Sequence, residues 1–113
     1  MSVIIQGLLE QYTKVLKEIY GLHLKSVILY GSYARGDYTT ESDIDIMILL
    51  DLTDMDIKNY RHELSEMTYD FNMDNAIDIK PIAKSKEHFQ KWVDVYPFYM
   101  NVYKEGVKLF DVA

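Results

Sequence analysis

Residues 43–50, DIDIMILL, limit the possible folds of this chain more than any other segment. Their aliphatic run, free of glycine and proline, reads as a strand. Side chains alternate across a strand, which places Asp43, Asp45, Met47 and Leu49 on one face and Ile44, Ile46, Ile48 and Leu50 on the other. Two carboxylates thus point the same way from one end of an apolar element. Unit charges about 4 Å apart repel by roughly 4 kcal/mol at an effective dielectric near 20, so the pairing is costly unless a cation sits between them. A divalent metal resolves the conflict, and magnesium commonly takes one or two carboxylates together with substrate phosphate and water.

The surrounding elements follow from spacing. From Ile5 the apolar positions Leu8, Leu9, Tyr12, Val15, Leu16 and Ile19 recur at helical intervals opposite Glu10, Lys14, Lys17 and Glu18, and Gly21 ends that helix. Residues 26–30 form a short buried strand. Residues 31–42, GSYARGDYTTES, are small and polar and predict a turn with one helical turn inside it. A second helix, capped by Thr53 or Asp54, carries Ile57, Tyr60, Leu64, Met67 and Phe71 and ends over 72–75. Residues 76–80 predict a third strand closed by Pro81, with Ile77 and Ile79 toward the core and Asp78 on the opposite face. Ser85 caps a short helix through Trp92, Pro97 opens another that Gly106 ends, and residues 107–110 add a terminal edge strand. With no linker between these pieces, one α+β domain over residues 1–113 is expected.

Composition narrows the function. A formal net charge of −6 argues against an extended nucleic-acid surface or attraction to anionic membranes. There is no cysteine for a disulfide or a thiolate metal site, no apolar run near the roughly 20 residues of a membrane helix, and no signal-peptide progression at the start. A cytoplasmic protein is the expectation. If such a chain handles a nucleotide, it must hold it through metal and local groups.

Those local groups are at hand. Gly31 and Ser32 lie at a strand end where the backbone must turn sharply; glycine allows backbone amides to approach phosphate oxygens, and the serine hydroxyl can donate one more hydrogen bond. Phosphate-binding chemistry beside metal-binding chemistry is what nucleotidyl transfer requires. Either signal alone is commonplace, a solvated strand end or a plain turn. Their order and spacing together are not.

The run GSYARGDYTTESDID, with Gly31 and Ser32, ten intervening residues, then Asp43 and Asp45, resembles the signature of the DNA polymerase β-like nucleotidyltransferases. It is most similar to the minimal nucleotidyltransferase group, in which Gly-Ser-x-Ala-Arg-Gly, here residues 31–36, is common. The Asp78 context AIDIK matches the family's third carboxylate, and the ending YKEGVKLF is similar to the group's tail. The resemblance implies a mixed β-sheet flanked by helices, with Asp43 and Asp45 as ligands of two magnesium ions. It also implies Asp78 as a further metal ligand that helps deprotonate the acceptor, and Ser32 with nearby amides holding the phosphates of ATP. Members of the group often act as antitoxins beside a helical HEPN-type toxin, some by transferring AMP to one of its tyrosines.

The residues leave several roles open. Asp78 has the alternative of an exposed edge-strand carboxylate. Arg35 either neutralises phosphate or braces the structure by pairing with Asp37 or a helix end. Lys80 shares a strand face with Asp78 and either approaches the triphosphate or relieves the acidic cluster. His23, His62 and His88 show no metal-ligand spacing and are expected at the surface, whereas Trp92, Tyr96, Phe98, Tyr99 and Tyr103 supply core packing and part of a partner surface. The expected activity is AMP transfer from ATP to a hydroxyl, with a cognate HEPN toxin as partner, because larger relatives carry a further acceptor-holding domain that this sequence lacks. Two alternatives stand beside it: a non-catalytic antitoxin module that only binds, and a small-molecule nucleotidyltransferase acting as a homodimer.

Overall fold

The computed structural model describes residues 1–112. Helix α1 (Val3–Tyr20) starts where the Ser2 hydroxyl accepts a hydrogen bond from the Ile5 amide at 3.1 Å, and it stops at Gly21, whose own amide donates to the Lys17 carbonyl. A 3-10 turn (Gly21–His23) leads into β1 (Leu24–Tyr30), the single-turn helix α2 (Ser32–Arg35) and β2 (Ile44–Leu50). The chain continues through α3 (Asp54–Asn59), α4 (Arg61–Asn75), β3 (Ile79–Ser85), α5 (Lys86–Trp92), α6 (Pro97–Glu105) and β4 (Val107–Asp111). Among the described residues no helix is long and apolar enough to cross a membrane.

The strands form one sheet in the order β3-β2-β1-β4. β1 runs antiparallel to both β2 and β4, whereas β2 and β3 are parallel, so the sheet is mixed, as the α+β expectation requires. Alternation along β2 sorts its side chains into two cores. Ile44, Ile46, Ile48 and Leu50 pack with Leu9, Tyr12, Leu16 and Tyr20 of α1 and Leu64 of α4. Met47 and Leu49 pack on the other face with Phe89 of α5 and Tyr99 and Val102 of α6. The strand is apolar throughout because helices cover both sides of it. At its start only the Ile44 side is covered, and Asp43 and Asp45 stand on the other face, exposed and half-buried respectively.

Two expected elements differ from what the chain forms. The single helix expected over Ile57 to Phe71 is two helices, broken at Tyr60, whose amide donates back to the Ile57 and Lys58 carbonyls and whose ring lies 4.9 Å from that of Tyr20. Periodicity cannot reveal the break, because Ile57, Tyr60 and Leu64 all pack into the same core across it.

The third strand is not residues 76–80 closed by Pro81. It begins at Ile79 and continues through Pro81 to Ser85. Ala76, at φ +53°, ends α4 in a left-handed conformation instead. The Asn72 side chain explains how proline fits: its Oδ1 accepts from the Ile79 amide at 2.9 Å and its Nδ2 donates to the Ile79 carbonyl at 3.1 Å, on the sheet's outer edge. Backbone groups two residues apart face the same edge, so Pro81 turns its nitrogen outward, where no ladder bond is lost.

Candidate active site

The sheet topology gathers the expected site residues at one rim. Antiparallel pairing sets Tyr30, the last residue of β1, opposite Asp45, and parallel pairing sets Ile44 opposite Ile79. The turn after β1, the start of β2 and the start of β3 therefore meet. The Ile44 amide donates to the Asp78 carbonyl at 2.8 Å, which ties the last two together just ahead of their ladders.

Gly31 turns the chain at φ +75° and ψ −154°, a region closed to side chains in practice. It is also pressed against the acidic strand: a Cβ there would collide with the Asp45 carboxylate. Ser32 opens α2 immediately afterwards, so the first amides of that helix have no carbonyl within it to bond. Beyond α2, Tyr38 stacks on Tyr33 with ring centroids 4.3 Å apart and planes 5° from parallel, and Thr39 and Ser42 bond each other through backbone and side chain. These contacts hold the loop that delivers Asp43.

The carboxylates feel one another. Asp43 lies against Asp78; the neighbouring carboxyl group, together with loss of solvent, pushes the Asp43 pKa up, while Lys80 opposes the shift. Asp45 is also raised, first by burial and then by the charge of Asp43, with Arg35 opposing. Tyr30 beside it is pushed up to about 12 by burial and the Asp45 charge. A carboxyl whose pKa is higher in the fold binds its proton more tightly there than in the unfolded chain. The protein therefore gives up stability as pH rises from the ordinary carboxylate range through the raised folded value.

This sign yields a prediction that needs no substrate. Asp45→Asn is expected to leave the protein in chelator as stable as the wild type or up to about 1 kcal/mol more stable, the gain being limited by solvent screening. Melting curves of both proteins at one neutral pH check it. Clear destabilisation would make Asp45 a structural partner instead.

Arg35 donates from Nε to Asp37 Oδ2 at 3.3 Å and from Nη1 to Glu105 Oε2 at 3.2 Å, the bracing arrangement. Lys80 Nζ stands 3.5 Å from Asp78 Oδ1. Among the described residues no three histidine or acidic side chains are drawn close enough to bind a metal by themselves. The rim pairs Asp43 with Asp78 and lays Asp45 over Gly31, so the three do not close on one point. A crowded carboxylate pair with a third beside it nonetheless fits magnesium, which completes its shell with phosphate and water. His23 and His62 meet Asp51 and Glu66 at the surface, but His88 does not behave as a surface residue: it is half-buried and its Nδ1 lies 2.9 Å from the Tyr99 hydroxyl.

Sequence reasoning missed three neighbours of the rim. Tyr30 forms part of its floor, Phe98 packs edge-on against Tyr30 at 5.6 Å, and Glu105 holds Arg35. All three arrive through tertiary contacts that no local pattern encodes. A cavity of about 300 Å³ opens elsewhere, between α5, α6 and the far end of β1, lined by Ser26, Phe89 and Val102. None of Asp43, Asp45 and Asp78 lines it, and the chemistry of the donor groups favours the rim as the candidate site.

A mixed sheet in this strand order, helices on both faces, and a glycine-serine turn beside an acidic strand start together define a nucleotidyltransferase fold. The chain belongs to the nucleotidyltransferase domain family, whose model matches residues 9–108. Over 102 residues it is 36% identical to a Methanocaldococcus jannaschii protein named as a "putative protein adenylyltransferase", covering 90% of this chain and 94% of that one. Among solved structures it is similar to a putative nucleotidyltransferase from Sulfolobus solfataricus, with a TM-score of 0.65, 20% identity and coverage of 96% and 82% of the two chains. It is also similar to a chain in the complex of a tri-AMPylated HEPN toxin with an MNT antitoxin from Shewanella oneidensis, with a TM-score of 0.52, 18% identity and coverage of 95% and 73%. At these identities the two structural likenesses speak for the fold.

Proposed function

We propose that this chain transfers AMP from ATP to a hydroxyl of another protein, a tyrosine of a HEPN-type toxin, and thereby acts as its antitoxin in the cytoplasm. The observation that carries the reading is the rim itself, where Asp43 is crowded against Asp78 while Asp45 lies over the Gly31 turn. Repelling carboxylates beside a turn suited to phosphate make sense as the receptacle of a metal-bound triphosphate. The protein acceptor is supported by the name of the Methanocaldococcus jannaschii relative and by the AMPylated toxin beside the Shewanella oneidensis antitoxin.

In this reading the Ser32 hydroxyl and the first amides of α2 donate to the β- and γ-phosphates. The acceptor oxygen forms a bond to the α-phosphorus, the bond to the bridging oxygen breaks, and pyrophosphate leaves with the electron pair. Asp78 takes the hydroxyl proton. Asp43, Asp45 and Asp78 would hold two magnesium ions, which supply charge neutralisation at the entering and leaving oxygens.

The test is to co-express the chain with the product of the adjacent reading frame and incubate the pair with ATP and magnesium. Addition of AMP to a partner tyrosine, seen by mass spectrometry, is the expected result. A partner neutralised without modification would favour the binding module, and modification of small hydroxylated compounds with no partner present would favour the homodimeric small-molecule enzyme.

A further inference from the structure

Glu105 is the last residue of α6, 70 positions along the chain from Arg35, yet it closes on that arginine beside the Gly31 turn. With Asp37 it engages the guanidinium on two sides, at 3.3 and 3.2 Å. Both pairs stand in solvent, with 44% of the Arg35 side chain and 36% of the Glu105 side chain exposed. Exposed ion pairs of this kind exchange at little cost. The end of α6 is itself fixed in place, because Gly106 leaves no room for a side chain: a Cβ would collide with the Val102 carbonyl, and the Ile28 side chain crowds the same space. At the other end of the helix Phe98 packs against Tyr30. α6 thus touches residues on both sides of the Gly31–Ser32 turn.

A guanidinium binds phosphate oxygens in the same forked geometry as a carboxylate, and a triphosphate offers more negative charge than one glutamate. We propose that Glu105 is a positioning residue that holds Arg35 in reserve beside the phosphate turn and yields it to the nucleotide's phosphates on binding. The inference rests on the nucleotide-transfer reading above. Without nucleotide, Glu105 keeps the arginine close to the rim while occupying its donors; with nucleotide, the two compete for one guanidinium. The competition makes Glu105 a brake on affinity, which is the opposite of what a bracing salt bridge would be.

Calorimetric titration of Mg-ATP into the full chain and into Glu105→Gln, Arg35→Gln and the double variant tests this. Glu105→Gln is expected to bind roughly two- to fivefold more tightly than the wild type, the range that releasing one exposed ion pair allows. Arg35→Gln is expected to bind more weakly, and adding Glu105→Gln to it is expected to change nothing further. A thermal melt of each variant establishes that it is folded. Unchanged or weaker binding by Glu105→Gln, with the wild type binding normally, overturns the proposal and leaves the nucleotide reading standing. Failure of the wild type to bind Mg-ATP at all overturns both.

Discussion

Replacing Asp45 by alanine is expected to lower AMP transfer by about a thousandfold or more, because loss of roughly 4 kcal/mol of charge stabilisation at the reacting phosphate corresponds to that factor. Asp43→Ala is expected to match it. The two carboxylates sit two residues apart where β2 begins, and the charge of Asp43 raises the cost of ionising Asp45, as Asp78 does for Asp43. Such an arrangement has no evident structural benefit, since the apolar cores on both faces of the strand begin at its neighbours Ile44 and Met47. Initial rates of label incorporation into the acceptor, measured with variant concentrations raised to keep the assay linear, give the ratio. Rates within a few-fold of the wild type for Asp45→Ala would remove the rim from the chemistry.

The second large effect is expected at Gly31. Its backbone lies in a region that costs side-chain-bearing residues about 1–3 kcal/mol, and an added methyl would also displace the Asp45 carboxylate. Gly31→Ala should therefore lose stability of that order and lose transfer almost as completely as Asp45→Ala, although it removes no charge and no hydrogen-bonding group. Melting curves and the same rate assay report the two halves separately. A Gly31→Ala protein with wild-type stability and rate would mean that the turn does not approach the acidic strand as described. Asp45→Asn is expected to provide the contrast, keeping its stability in chelator yet losing transfer when magnesium and ATP are supplied.

Much of this rim was legible before any coordinates. The alternation in DIDIMILL placed Asp45 correctly opposite the Ile44, Ile46 and Ile48 side, and Gly31 with Ser32 marked the turn and the single helical turn that follows. Stop and cap signals at Gly21, Ser85, Pro97 and Gly106 located the end of α1, the start of α5 and both ends of α6, whereas the Ser2 cap that starts α1 is a finding of the structure. What escaped depends on partners distant in sequence. Pro81 looked like a strand end because the Asn72 side chain, which occupies the outer edge of β3, is contributed by a helix. Tyr60 looked continuous with its helix because an in-phase break leaves apolar spacing intact. For Arg35 the sequence offered Asp37, which the structure pairs with it, but could not single out Glu105, which lies 70 residues away at the end of α6.

The central claim is that the transferred group is the nucleotidyl and not the terminal phosphoryl group, and parallel incubations of the chain and its acceptor with ATP labelled at the α- or the γ-phosphate test it most directly. The expected result is label on the acceptor from the α-position only, with the γ-label released in pyrophosphate and both lost in Asp45→Ala. Label arriving on the acceptor from the γ-position would contradict the account, because the Gly31–Ser32 turn would then be holding the phosphate that moves instead of the phosphates that leave.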